Sequence, residues 1–79
     1  MQIAYYAGAA DAAGLETEQL DVDQLTVSGL INLLATLHDR LGPVLTRCSL
    51  LVDGHRVDDP DELIAAGSRI DVLPPFAGG

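Results

Sequence analysis

The sequence predicts an α+β fold in which one main helix packs on one face of a mixed sheet of four to five strands. Three observations carry this. Apolar and polar residues alternate with period two near both ends: Ile3, Tyr5 and Ala7 against Gln2, Ala4 and Tyr6, then Ile70 and Val72 against Arg69 and Asp71. Between them, Val27, Leu30, Ile31, Leu34, Leu37 and Leu41 recur at helical spacing and form one apolar stripe. A chain of 79 residues supports a single core, and two layers are what it can close.

The elements follow in order. "QIAYYA" is the first strand. "GAADAAG", residues 8–14, is expected as a small-residue hairpin loop; it matches no phosphate-binding glycine pattern. In "EQLDVDQL", Leu20 and Val22 alternate with Gln19, Asp21 and Asp23, a second strand with one solvated face. Thr26 is expected to cap the helix, with Asp23 near its positive end. Gly29 weakens that helix by up to about 1 kcal/mol relative to alanine. Gly42 and Pro43 are expected to stop it. "CSLLVDGHRV" gives two short strands joined at Asp53-Gly54, a pair that tolerates the positive φ angles of a tight hairpin. "DDPDELIAAGS" is expected as an acidic turn with one helical turn, and "RIDVL" is the last strand.

If the helix makes a right-handed crossover, the first and last strands pair in parallel at the centre of the sheet. That is the β-grasp topology. It predicts a domain over residues 1–73 and a flexible tail over 74–79, "PPFAGG".

Composition narrows the function. The core must be aliphatic, because 48% of residues are hydrophobic and only 4% aromatic. No apolar run reaches the roughly 18 residues of a membrane span, and the start lacks the basic region of a secretory signal, so a cytoplasmic setting is expected. The net charge of −8 arises from twelve acids and four arginines, with no lysine. Such a surface repels nucleic acid and anionic lipid and attracts a partner with a basic docking face. Without lysine, no side-chain amine is open to acylation. This suits a protein whose own carboxyl end becomes activated, and compositional bias explains it equally well.

The strand and helix order, the "VDGHRV" hairpin, the late "GSRIDVLPPFAGG" and the terminal Gly-Gly resemble the ubiquitin-like sulfur carriers of the MoaD/ThiS type. Within these, the "PPFAGG" ending resembles the small subunit of molybdopterin synthase. The resemblance spans essentially the whole chain, and its specific part is the tail. Two features depart from the family: Asp53-Gly54 is followed by His55 and Arg56 where an acid is frequent, and residues 8–14 hold no identifying motif.

The resemblance implies that the Gly79 carboxylate is adenylated by a ubiquitin-activating-like adenylyltransferase that uses ATP. Sulfur from a donor protein then yields a thiocarboxylate. This donates sulfur to a pterin precursor in the large synthase subunit, within a heterotetramer. The chain itself binds no cofactor and is not an enzyme on its own. Gly78 is the flexible neighbour that lets the tail enter a narrow site. Pro74 and Pro75 favour an extended segment and remove two backbone donors. Phe76 and Ala77 are expected to contact the partner, with Phe76 as an apolar anchor. Arg69, Asp71 and Leu73, on one face of the last strand, are expected partner contacts. A sulfur carrier for thiamin, cysteine or another thiolated metabolite shares this tail, and so does a ubiquitin-like protein modifier. A noncovalent β-grasp binding module is the third class.

Other side chains suggest no chemistry. Cys48 starts an apolar strand with no base beside it and is expected as a buried structural thiol. His38, His55 and the single cysteine form no metal-binding spacing. Asp58, Asp59, Asp61 and Glu62 lack the spacing of a calcium loop and are expected as a solvated turn.

Overall fold

The computed structural model describes residues 1–75. In chain order these form β1 (Gln2–Tyr5), α1 (Ala7–Ala13), β2 (Thr17–Gln19), β3 (Leu25–Thr26), α2 (Val27–Leu37), α3 (Leu41–Leu45), β4 (Ser49–Val52), β5 (His55–Val57), β6 (Leu63–Ile64) and β7 (Arg69–Leu73). Five strands make a mixed sheet in the order β2-β1-β7-β4-β5, and β3 pairs with β6 in a separate two-stranded ribbon. β7 pairs in parallel with β1, aligning Ile3 with Ile70 and Tyr5 with Val72, and antiparallel with β4, aligning Leu50 with Val72. The expected α+β β-grasp architecture is therefore present, with the last strand at the centre.

One core lies between the inner face of the sheet and the helices. Ile3, Ile70 and Val72 meet Leu30, Leu34, Leu41 and Ile64 there, all essentially inaccessible to solvent. Period two places Ile70 and Val72 inward, which turns Arg69, Asp71 and Leu73 to the outer face.

Several local expectations are corrected. Residues 8–14 are not a loop. Alanine has the highest helix propensity, so Ala7–Ala13 forms a helix that buries Ala9 and Ala13 one turn apart. Gly14 closes it in the left-handed conformation, its N–H donating to the Ala10 carbonyl. β2 ends at Gln19, so Leu20 and Val22 pack against the core from outside a strand.

The main helix ends at Leu37, not at Gly42-Pro43. Those two residues lie in the first turn of α3, where proline costs no hydrogen bond because the N–H groups there lack an intrahelical acceptor. The apolar stripe is thus split between two helices. Leu41 is fully buried in the second, while Leu37 at the end of the first is exposed. Residues 63–64 form a strand in place of a helical turn.

Thr26 does cap α2. Its Oγ1 accepts from the Gly29 N–H at 3.0 Å. A side chain at position 29 would bring its Cβ within 3.0 Å of that oxygen, so Gly29 gives up helix propensity to admit the cap. Two further donors at this helix start, the Val27 and Ser28 N–H groups, reach the carbonyls of Glu62 and Pro60. The acidic loop is thereby fastened to α2 through its backbone, leaving its carboxylates free to face water. The Asp53-Gly54 turn has φ of 49° and 84°, as expected for a tight hairpin. It is also tied to β7: the Asp53 N–H donates to the Arg69 carbonyl, and Asp53 Oδ1 accepts from the Arg69 N–H, both at 2.9 Å.

Three polar side chains close one end of the core. Glu18 Oε2 accepts from the Tyr5 hydroxyl at 2.5 Å and lies 2.6 Å from His38 Nε2, while the Tyr5 and His38 rings meet edge to face. Burial, then the hydrogen bond and charge of Glu18, push the Tyr5 hydroxyl far above its ordinary pKa.

Two stability predictions follow from these geometries. Gly54→Ala should cost about 1–2 kcal/mol, read as a lower urea midpoint, because L-residues pay that much in the left-handed region. The raised Tyr5 pKa means the folded state keeps a proton that the unfolded state releases near pH 10. Stability is therefore full below about pH 10 and falls as pH rises beyond it. Tyr5→Phe should cost roughly 1–2 kcal/mol at pH 8, and the gap to the natural sequence should narrow in urea titrations at pH 10–11.

Candidate functional site

The site expected from the sequence is the chain end that follows β7. Gly78 and Gly79, with Phe76 and Ala77, lie outside the described residues. What the structure provides is the root of this segment. Leu73 closes β7, and its backbone is paired with Ser49 of β4. Pro74 is half-buried and Pro75 exposed. Proline has no N–H to add to a ladder, so strand pairing stops where the tail segment starts.

The three expected contact residues share the outer face of β7 but differ in setting. Arg69 is exposed, whereas Asp71 and Leu73 are half-buried. Asp71 is covered by Tyr6, whose hydroxyl donates to Asp71 Oδ1 at 3.1 Å, and Arg69 Nε reaches the same oxygen at 3.4 Å. Hydrogen bonds to Tyr6 and then Asp71 raise the Arg69 pKa, keeping the guanidinium charged. This patch therefore offers a cation, a carboxylate hydrogen-bonded by both Tyr6 and Arg69, and an aromatic edge beside the tail root. The sequence placed Tyr6 on the first strand and did not connect it to Asp71. The link arises because β1 aligns Tyr5 with Val72, which sets the residue after Tyr5 against the outer face of β7.

A second feature was not anticipated. Pro43, Val44 and Arg47 from α3 and its flank face Pro74 and Pro75 across a cleft of about 480 Å³. Reading Gly42-Pro43 as a helix stop hid it. The signal was present in Leu41, Val44 and Leu45, spaced i, i+3 and i+4 across the proline.

The remaining candidates are placed as follows. Cys48 is half-buried, less than expected; its thiol donates to the Val44 carbonyl at 3.2 Å, and burial raises its pKa. His38 belongs to the Glu18 cluster, and His55 is exposed at the hairpin. Asp58 pairs with Arg56 at 3.0 Å and Asp59 accepts from the Asp61 N–H. Among the described residues no group of three or more potential ligands is arranged to hold a metal ion, and no helix is long and apolar enough to cross a membrane.

Comparison with known proteins adds an independent line. The model of the ThiS family matches residues 3–79, nearly the whole chain. No curated protein matches significantly in sequence. Among solved structures, SAMP1 from Haloferax volcanii is 28% identical, with a TM-score of 0.82 over 100% of this chain and 98% of that one. A Pyrococcus furiosus protein assigned as molybdopterin converting factor subunit 1 is 21% identical, with a TM-score of 0.83 over 95% of each chain. A complex of subunits 1 and 2 of molybdopterin-converting factor from Helicobacter pylori contains a chain that is 18% identical. Its TM-score is 0.70, with 99% of this chain and 96% of that one covered. The last two likenesses concern the fold alone.

The geometry separates two neighbouring positions on β7. Leu73→Asp places a charge on the outer face and should leave far-UV circular dichroism unchanged. Val72→Asp places an unpaired charge in a fully buried position and should unfold a domain whose total stability is of the order of 5–15 kcal/mol.

Proposed function

We infer function from one premise: the chain belongs to the ThiS family, whose members are β-grasp sulfur carriers that are not themselves catalysts. We propose that residues 74–79 form a flexible tail and that Gly79 is the reacting residue. The single observation that carries this is a family match that runs through the last residue of a chain whose central strand leads straight into that tail.

The chemistry is that of a carboxylate. A C-terminal carboxyl group has a pKa of about 3.3–3.7, so it is anionic at neutral pH and a poor acyl electrophile. A Gly79 carboxylate oxygen attacks the α-phosphorus of ATP on an adenylyltransferase, and pyrophosphate leaves. A sulfide equivalent delivered by a donor protein then attacks the acyl carbon, forming a C–S bond as the C–O bond to AMP breaks; AMP leaves, the sulfur gives up its proton to solvent, and the thiocarboxylate results. Gly78 presents no side chain to obstruct either active site. Pro74 and Pro75 favour an extended path out of the central strand, and Phe76 and Ala77 are the residues we assign to contact with the partner.

The pathway we favour is molybdopterin synthesis, with this chain as the small synthase subunit bound to a large one in a heterotetramer. The "PPFAGG" ending and the fold shared with the Pyrococcus and Helicobacter proteins support it. A thiamin, cysteine or other thiolated-metabolite pathway uses the same tail chemistry. A protein-modifier role is the second reading, favoured by the likeness to small archaeal modifier protein 1 of Haloferax volcanii at 27% identity.

Co-expression with the host's activating enzyme and sulfur source, followed by intact-mass analysis, tests the proposal. One oxygen replaced by sulfur on Gly79, absent in a Gly79-deleted control, is expected. An unmodified mass with active partners would reject it. Leu73→Asp should weaken binding to the adenylyltransferase and the large subunit by about tenfold or more, the loss of one well-packed apolar contact. Unchanged binding would remove the outer face of β7 from the interface.

A further inference from the structure

The turn between β4 and β5 holds the one Asp-Gly pair of this sequence, Asp53-Gly54, and there is no Asn-Gly pair. Such a pair carries its own chemistry. The glycine nitrogen, with no side chain to shield it, attacks the aspartyl carboxyl carbon and closes a succinimide ring. Sterically nothing prevents this here: both residues are exposed, and the space beside the Gly54 Cα is open. What opposes the attack is where the fold holds the carboxyl group. Asp53 Oδ1 reaches across to accept from the Arg69 N–H at 2.9 Å, and the Asp53 N–H donates to the Arg69 carbonyl at 2.9 Å. One aspartate thus engages both backbone groups of the residue that starts the central strand. Ring closure requires the carboxyl carbon to leave Arg69 and swing onto the Gly54 nitrogen. The clamp and the reaction exclude each other.

We propose that Asp53 is a modification site, an aspartate that isomerises to isoaspartate at a rate set by how often the hairpin releases β7. The step is a dehydration followed by a hydrolysis and needs no co-reactant but water. A C–N bond forms between the Gly54 nitrogen and Asp53 Cγ as the Cγ–OH bond breaks. The Gly54 N–H proton and the hydroxyl group leave as water. Water then adds to the former main-chain carbonyl of Asp53 and breaks its bond to nitrogen, so that the chain now runs through Cγ and a free carboxylate remains on Cα. The product has one more carbon in its backbone. The two-residue turn closed by Val52 and His55 has no place for that carbon, and the displaced carboxylate no longer meets the Arg69 N–H. An opening that would otherwise reverse is made permanent, and the Val52–Ile70 end of the β4–β7 pairing loses its tie. None of this depends on the activity proposed for the chain.

The test incubates the full chain for weeks at mildly acidic pH, in buffer and in guanidinium chloride, and locates isoaspartate by electron-transfer fragmentation of a digest. Isoaspartate should form at Asp53 in both samples, about tenfold or more slowly in buffer, the scale set by two hydrogen bonds. Asp53→Asn keeps an oxygen that accepts from Arg69 and reports the same attack through loss of ammonia; it should show a similar ratio. The isoaspartyl form of the natural sequence is then separated by reversed-phase chromatography and returned to buffer. Its Arg69 amide hydrogen should exchange with solvent about tenfold or more faster than in the unmodified chain, because its acceptor has moved. Equal rates in buffer and in guanidinium chloride would overturn the proposal. So would the absence of isoaspartate at Asp53 in both samples, or an Arg69 amide as well protected in the isoaspartyl form as in the natural one.

Discussion

The rest of the molecule depends on the parallel pairing of β1 with β7. It joins the two ends of the chain, places the last strand between β1 and β4, and so buries Ile70 and Val72 completely. A strand hydrogen-bonded on both sides cannot bend away from the sheet, which fixes where residue 73 ends and in what direction the chain continues. The same alignment aims Tyr6 at Asp71 and organises the polar patch beside the tail root. The hairpin turn adds a further restraint, with Asp53 bonding both the N–H and the carbonyl of Arg69. The segment that follows β7 therefore starts from a fixed point.

Much of this was legible in the sequence, because the elements that matter have strong periodicity. The alternation in "RIDVL", the helical stripe from Val27 to Leu34 and the Asp53-Gly54 turn each have one physical solution, and each appears as expected. The misreadings share a cause. Residues 7–13 have neither a stripe nor a side-chain cap, so two glycines outweighed the helix propensity of five alanines. Pro43 was taken as a stop because its effect depends on where a helix starts, and that in turn depends on α2 ending at Leu37. The Tyr5–Glu18–His38 cluster was hidden because its members lie on β1, on β2 and just past the end of α2, which only the tertiary fold unites. For the site, the residues proposed to react were read from the composition and position of the tail. The cleft against α3 came only with the structure.

Charge has been distributed without disturbing the core. The acids of residues 58–62 sit on a loop whose carbonyls satisfy the first donors of α2, so their side chains add negative potential without taking part in packing. That potential acts over about 8–10 Å at physiological ionic strength and favours approach by a partner with a basic face. Arg69, fixed against Tyr6 and Asp71, is a local exception near the tail and a candidate determinant of how the partner is oriented.

The pairing of the first strand with the last also governs when the protein can be finished. Contacts between residues 2–5 and 69–72 span nearly the whole chain, and contacts of such long sequence separation slow folding. During synthesis β1 has no partner on its inner side until β7 has been made. The sheet therefore closes only after residues 69–73 have been made, and until then Ile3 and Tyr5 lack the strand that pairs with them on that side.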